Sequence, residues 1–486
     1  DKFAGAYVQD PIKGKHEWVY DLDITSMYPS CIMSLNISPE TKMGKIEGWV
    51  PEEFLKKNHK KTYIITRNNK EMGRFTEKEL AKFLDGKDIG VATNGVMYRT
   101  DKDGLLPALL RKWFSERVEY RKLSKKFHEE GDKEQSEYFD RRQYLQKVLL
   151  NSLYGVLGLP VFRFYDLDNA EATTYTGQSL IKFTKKIGNS YYNKILNDEE
   201  NHCIYIDTDS VFYSATPLVK KRFPNMDIND EDKMSKAILE IADEVQGYLN
   251  KSYDYFAKKF CNLTKHRFDI KQEVIAKSGL FVTKKRYGLK IINDNGKKVD
   301  KMMVKGLDTV RSSFPVAMRT MLSKLLEDIL MGVPKDKLDK FILNFKDSMK
   351  LMDFDKIAIP TSVKGVKKYK IDGGLFSSYA KGTPVHVKSA LFYNDILKHM
   401  KISKRYTEIF DGEKIKWVYL KNNPIGLETI AYKGHEDPPK VLEFIRQFIN
   451  PDKLYKQALH KKIMMLYEAL GWGEPTDATK TIERFF

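Results

Sequence analysis

The ten residues IYIDTDSVFY, 204–213, constrain the fold more than any other stretch of the chain. Two β-rich arms, 204–206 and 211–213, enclose Asp-Thr-Asp-Ser, so the segment predicts a β-hairpin whose tight connection carries Asp207 and Asp209. Asp and Ser are favoured in turns for local hydrogen bonding, and a turn alone would explain an isolated D-x-D. The alternative is that the turn holds its carboxylates toward a divalent cation, which would offset their repulsion. That alternative requires a second acidic segment, brought to the hairpin by the fold.

Such a segment lies near the start, YDLDITSMYPS at 20–30. The spacing predicts an extended strand over 18–23 that ends on Asp23, with Tyr28-Pro29-Ser30 breaking the pattern. Past Asp23 the chain turns through small hydroxyl residues and a proline, which present backbone N–H groups to an anion such as phosphate. With Asp207 and Asp209 on a neighbouring hairpin, Asp23 would complete a carboxylate cluster for two Mg²⁺ ions, roughly 3.5–4 Å apart in phosphoryl-transfer sites. Hard cations accept water and substrate phosphates in their remaining positions, so two or three carboxylates suffice.

A chain of 486 residues exceeds the usual single-core limit and predicts two to four subdomains. The formal charge of +18, spread along the length, calls for a polyanionic partner, with nucleic acid the first candidate. Cys31, Cys203 and Cys261 lack C-x-x-C spacing, so neither a disulfide framework nor a zinc site is supported. No apolar run approaches a membrane span and the first residues lack a signal-peptide core, so the expected location is the cytoplasm, with no membrane partner.

Helical spacing begins at Pro107 and runs to 130, stops at Gly131-Asp132, and resumes over 133–157, which predicts a long antiparallel helical hairpin. Residues 45–61 and 85–103 read as loop-rich and basic. Further helices are expected near 172–197, 231–262, 314–331, 335–349 and 438–470, a turn at Asp294-Asn295-Gly296, and a hairpin over 409–418 turned on Asp411-Gly412. On the helical hairpin, Arg117 and Arg121 share one face at i,i+4, and Lys147, Asn151 and Tyr154 share another at i, i+4, i+7. Two cationic faces above a metal site would clamp a triphosphate, although solvated faces of amphipathic helices would read the same way. Gly155, directly after Tyr154, lets another flat group approach the helix.

Taken together, D-I-T-S-M-Y-P-S (23–30), K-V-L-L-N-S-L-Y-G (147–155) and Y-I-D-T-D-S (205–210) resemble the three ordered motifs of family B DNA polymerases. Thr283-Lys284-Lys285-Arg286-Tyr287 resembles that family's K-K-R-Y segment, and Phe3-Ala4-Gly5-Ala6-Tyr7 its link between exonuclease and polymerase parts. The resemblance covers nearly the whole chain and is strongest to the replicative enzymes of large tailed phages. It implies an α+β right hand: palm at 1–103 and 160–306, helical-hairpin fingers at 104–159, and a mainly helical thumb at 307–486.

By the same resemblance, Asp23 and Asp209 are the metal ligands with the carbonyl of Ile24, Asp207 is a less directly involved catalytic aspartate, and Glu273 is an additional carboxylate. Mg²⁺ is the implied cofactor, with Mn²⁺ able to substitute. Ser26, Met27, Tyr28, Arg117, Arg121, Lys147 and Asn151 would bind the incoming dNTP, Tyr28 also acting as a steric gate under the ribose. Arg121 stands where the phage pattern commonly has lysine, which keeps the charge and changes the donor geometry. Tyr154 and Gly155 would floor the nascent base pair, and Lys284, Lys285, Arg286 and Tyr287 would contact primer-template DNA.

Only 22 residues precede Asp23, so the family's 3′–5′ exonuclease is expected to be absent and a separate exonuclease-bearing polypeptide is a candidate partner. Ile482, Phe485 and Phe486 fall at i, i+3, i+4 and resemble a sliding-clamp-binding peptide, although Thr479 replaces a common glutamine. Two alternatives remain: a DNA-binding scaffold with an inactive site, and another palm-type polymerase such as a reverse transcriptase. Thr208 between the two aspartates disfavours the latter, whose catalytic turn usually has them adjacent.

Overall fold

The computed structural model describes residues 5–58 and 60–477 of an α+β chain that divides into two compact units. The first comprises the described residues up to Ile12 with Glu17–Ala276 and Ile292–Val299; the second comprises Lys13–His16, Lys277–Ile291 and the chain from Asp300 onward. Ile482, Phe485 and Phe486 lie outside the described residues.

In chain order the chain carries β1 (Gly14–Ile24), α1 (Met27–Leu35), β2 (Lys42–Ile46), α2 (Pro51–Leu55), β3 (Thr62–Arg67), β4 (Lys70–Thr76), α3 (Glu77–Leu84), β5 (Ile89–Val91) and β6 (Val96–Arg99). It continues through α4 (Leu105–Glu129), α5 (Lys133–Leu157), α6 (Leu167–Leu196), β7 (Cys203–Asp207), β8 (Ser210–Ser214), α7 (Thr216–Arg222), α8 (Glu231–Cys261) and β9 (Ile270–Lys271). Next come β10 (Val274–Thr283), β11 (Arg286–Asp294) and β12 (Lys297–Lys305), hydrogen-bonded in the order β12-β11-β10.

β1 is a strand by alternation: Trp18, Tyr20, Leu22 and Ile24 point into a large apolar core shared with α1, α6 and α8, leaving Asp21 and Asp23 on the opposite face. It lies between two antiparallel partners, with Asp23 opposite Ser210 of β8 and opposite Lys271 of β9. The acidic hairpin forms as expected, β7 pairing β8 with Asp207 opposite Ser210 and Thr208 at φ 63 in the connection.

Pro29 lies past the end of β1, in the first turn of α1, where the missing N–H has no helical partner to lose. Three expectations require correction. Of the stretches read as loops, 45–61 carries α2 and 85–103 contributes β5 and β6 to a five-stranded sheet, order β4-β3-β2-β6-β5, with its own core around Ile46, Tyr63, Leu80 and Met97. In the second unit the helix expected over 438–470 is divided: Pro439–Phe448 ends at Ile449, and Asn450 caps a new turn by accepting from the Lys453 N–H. The hairpin expected over 409–418 is replaced by a three-stranded sheet, Lys414–Tyr419 pairing with Ile359–Ser362 and Thr429–Tyr432, while the Asp411 carboxylate accepts from the Val366 N–H.

The helical hairpin follows its punctuation closely. Gly131 takes φ 80 at the bend, Asp132 caps α5 by accepting from the Gln135 N–H, and the Ser124 and Ser136 hydroxyls donate to each other's backbone carbonyls across the pair.

Candidate functional site

The ends of β1, β8 and β9 and the facing sides of α4 and α5 enclose a cavity of about 480 Å³. Asp23, Asp209 and Glu273 line its strand side; Arg117, Arg121, Lys147 and Asn151 line its helical side. Sequences more than a hundred residues apart therefore meet in one space. Asp209 enters because the hairpin turn is locked from both directions: its carbonyl accepts from the Ile24 N–H at 2.8 Å, and the Thr208 N–H donates to the Tyr7 carbonyl.

Asp23 accepts from the Ser210 hydroxyl at 2.7 Å. Burial, then the like charge of Asp209, pushes its pKa up to about 8 in the cation-free chain. Asp21, one pleat back, is buried and pushed up to about 7, chiefly by desolvation. It accepts from the Glu273 and Val274 N–H groups and thereby fixes the start of β10. Asp21 is a support for the site and does not line it.

Asp207 pairs with Ser210 at the end of the hairpin, bridges Val8, accepts from the Thr208 hydroxyl at 3.3 Å, and lies outside the cavity lining. Among the described residues no group of three or more His, Cys, Asp or Glu is placed to hold a metal ion. Asp23 and Asp209 line the cavity together. Two hard oxygen donors that repel each other in a wet polar cavity still fit a divalent cation whose other positions come from substrate and water.

The pair supports an expectation for the metal-free chain. A carboxyl whose folded pKa exceeds its unfolded value, about 3.9 for aspartate, favours folding at low pH and loses that contribution as pH rises through the folded pKa. In chelator, thermal stability should therefore fall between about pH 4 and the values near 7 and 8 carried by Asp21 and Asp23. Asp23→Asn should flatten the upper part of that fall, measured by melting temperature across the range. A profile unchanged by Asp23→Asn would show that the pair does not titrate with folding.

Ser26 takes the left-handed conformation, φ 46 and ψ 56, at the start of α1, and its side chain does not cap the helix. Met27 is buried, with Ile24 beneath it in the core. The Tyr28 ring lies 4.5 Å from that of Tyr154, and Gly177 of α6 makes room for it: a Cβ there would stand 3.0 Å from Tyr28 Cε1. Gly155 faces open space, where a Cβ would meet nothing within 4 Å. Burial, then Arg121, lowers the Arg117 pKa, and Glu273 opposes both; its guanidinium donates to Gln143 at 3.4 Å.

Thr25, Lys271, Gln272 and Asn295 also line the cavity and were not anticipated. Lys271 and Gln272 directly precede Glu273, and the Asn295 N–H donates to the Glu273 carbonyl, so the acidic residue was the signal that could have led to all three.

In the second unit Lys284 and Lys285 are exposed at the β10–β11 turn, Lys285 at φ 58. Arg286 donates to Met465 Sδ at 3.4 Å. Tyr287 is 4% exposed and stacks on Phe281 at 5.4 Å, which anchors the turn.

No helix of the described residues is long and apolar enough to cross a membrane. Among known proteins, the DNA-directed DNA polymerase of Escherichia phage RB69 is 25% identical over 88% of this chain and 51% of its own length. That of Enterobacteria phage T4 is 23% identical over 96% and 55%, and a DNA polymerase of Paramecium bursaria Chlorella virus NY2A is 28% identical over 96% and 44%. The chain spans about half the length of these relatives. The family model for DNA polymerase family B matches residues 1–470, and with the two motif aspartates and the cationic helical face meeting in one cavity, the chain belongs to the family B DNA polymerases.

Proposed function

We propose that the chain adds deoxynucleotides to a primer 3′-hydroxyl under the direction of a DNA template. The observation that carries this reading is the single cavity in which Asp23 and Asp209 face Arg117, Arg121, Lys147 and Asn151. Carboxylates alone would attract only cations, and cations alone only phosphate; both together suit a metal-complexed triphosphate. On this reading the strands around Asp23 belong to a palm, α4 and α5 to fingers, and the second unit supplies the thumb.

Asp23, Asp209 and the Ile24 carbonyl would hold Mg²⁺, which when bound stabilises charge on the phosphoryl oxygens and favours ionisation of the 3′-hydroxyl. Arg117, Arg121 and Lys147 neutralise the triphosphate tail and align it for in-line displacement at the α-phosphate. The amides at the start of α1 face the same anion, their dipole adding to the cations. Tyr28 bounds the sugar, and the open space beside Gly155, next to Tyr154, leaves room for the nascent base pair. Lys284 and Lys285 supply phosphate contacts to the duplex, with Tyr287 holding their turn.

Primer extension with Mg²⁺ on a defined template tests the reading: stepwise, template-matched growth is expected, and binding of primer-template without growth would favour a scaffold. Within that assay Lys147→Ala should lower kcat/KM for dNTP by about a hundredfold, because it removes a cation that supports both ground and transition state. If primer-template affinity alone falls, Lys147 belongs to DNA binding.

A further inference from the structure

A second cavity, about 850 Å³, runs along the helical hairpin and adjoins the first, sharing Arg121 and Lys271 with it. Its α4 wall is formed by Val118, Arg121, Lys122, Lys125 and His128, one face at helical spacing, so the groove extends roughly 15 Å from Val118 toward the hairpin tip at 1.5 Å per residue. Lys297, at the start of β12, closes the opposite side.

The charge balance is one-sided. Five Lys or Arg residues line this space against two carboxylates, Glu137 and Asp140, while Lys125 and Lys271 also meet Glu129 and Asp269 at 3.8 and 3.6 Å. Among the described residues the Lys122 and Lys297 side chains have no ion pair or hydrogen bond. The floor is fixed, because Ser124 and Ser136 spend their hydroxyls on each other's carbonyls. Cations on a rigid floor, continuous with a site that breaks a phosphoanhydride bond, describe an anion path.

From this we infer that the groove is a second station for a polyphosphate group, taking pyrophosphate after it leaves the α-phosphate, or the tail of a triphosphate on its way in. The inference rests on the polymerase reading for its source of ligand, and it adds residues that the motif-bearing cavity does not contain. No new covalent step is involved. The primer oxygen has bonded to the α-phosphorus, the α–β bridge has broken toward the β-phosphate, and the product dianion or trianion moves along the cations.

The test uses the whole chain and the triple variant Lys122→Ala/Lys125→Ala/Lys297→Ala. Isothermal titration with inorganic pyrophosphate, in the absence of DNA, should show wild-type binding weakened by about fivefold or more in the variant. In primer shortening driven by added pyrophosphate, the half-saturating concentration should rise by a similar factor. A product station predicts an unchanged KM for dNTP; an entry station predicts that KM rises with it. Unchanged pyrophosphate binding overturns the inference, as does a loss confined to primer-template affinity, which would make the groove a nucleic-acid surface. Wild-type pyrophosphate binding without any primer extension would retain the station while refuting the polymerase reading.

Discussion

Asp209→Ala is expected to slow nucleotide addition by at least about a thousandfold while primer-template affinity changes by less than about threefold. The two effects separate because they have different physical sources. On the proposed reading, DNA binding would come from many Lys and Arg contacts to phosphate, spread over a chain of formal charge +18. Nucleotide addition would depend on two carboxylates that share one small cavity, so removing either would leave too few oxygen donors for a cation. The Ile24 N–H donates to the Asp209 backbone carbonyl, and the Ser210 hydroxyl to Asp23, two ties between this turn and β1 that the substitution leaves in place. Single-turnover primer extension and fluorescence anisotropy measure the two quantities on one preparation. Near-normal extension would remove Asp209 from the site.

Tyr28→Ala should raise incorporation of ribonucleotides relative to deoxynucleotides by about a hundredfold, a typical value for discrimination by the shape of a pocket. The ring is held from two directions, by Tyr154 at 4.5 Å and by the helix backbone that Gly177 leaves open, so it cannot swing aside for a 2′-hydroxyl. Burial raises the phenol pKa, which keeps it neutral and avoids repelling the triphosphate. Comparison of kcat/KM for matched ribo- and deoxynucleotides is the measurement. An unchanged ratio would show that the ring does not face the sugar.

The sequence disclosed the parts of this site that carry their own local signal. The hairpin with Asp209 was legible because turn residues sit between β-branched and aromatic arms, and α4 and α5 because Pro107 and Gly131-Asp132 punctuate a strong helical period. Lys271 was not legible: β9 is two residues long, too short for any periodicity, and exists because β1 offers it a partner. Asn295 was read as a turn residue, which it is at φ 50, and only tertiary placement makes it a cavity wall. The five-stranded sheet was obscured by β4, where Lys70, Glu71 and Met72 are all exposed and alternation has no contrast. Its turn nevertheless left a trace in Asn68-Asn69, both at positive φ, a pairing that favours a tight hairpin.

The supports of Asp21 and Asp23 arrive from far along the chain. The Ser210 hydroxyl reaches Asp23 across 187 positions, and the Val274 N–H reaches Asp21 across 253. At about 5–20 residues per second on the ribosome, the strand bearing both aspartates waits roughly 13 to 50 seconds before the backbone that will satisfy Asp21 has even been made. Until then both carboxylates remain hydrated and ionised, and loop-closure entropy opposes the sheet that would bury them. A nascent chain stalled before residue 274 would therefore carry every residue of the DITSMYPS segment and of the acidic hairpin while lacking the backbone that satisfies Asp21.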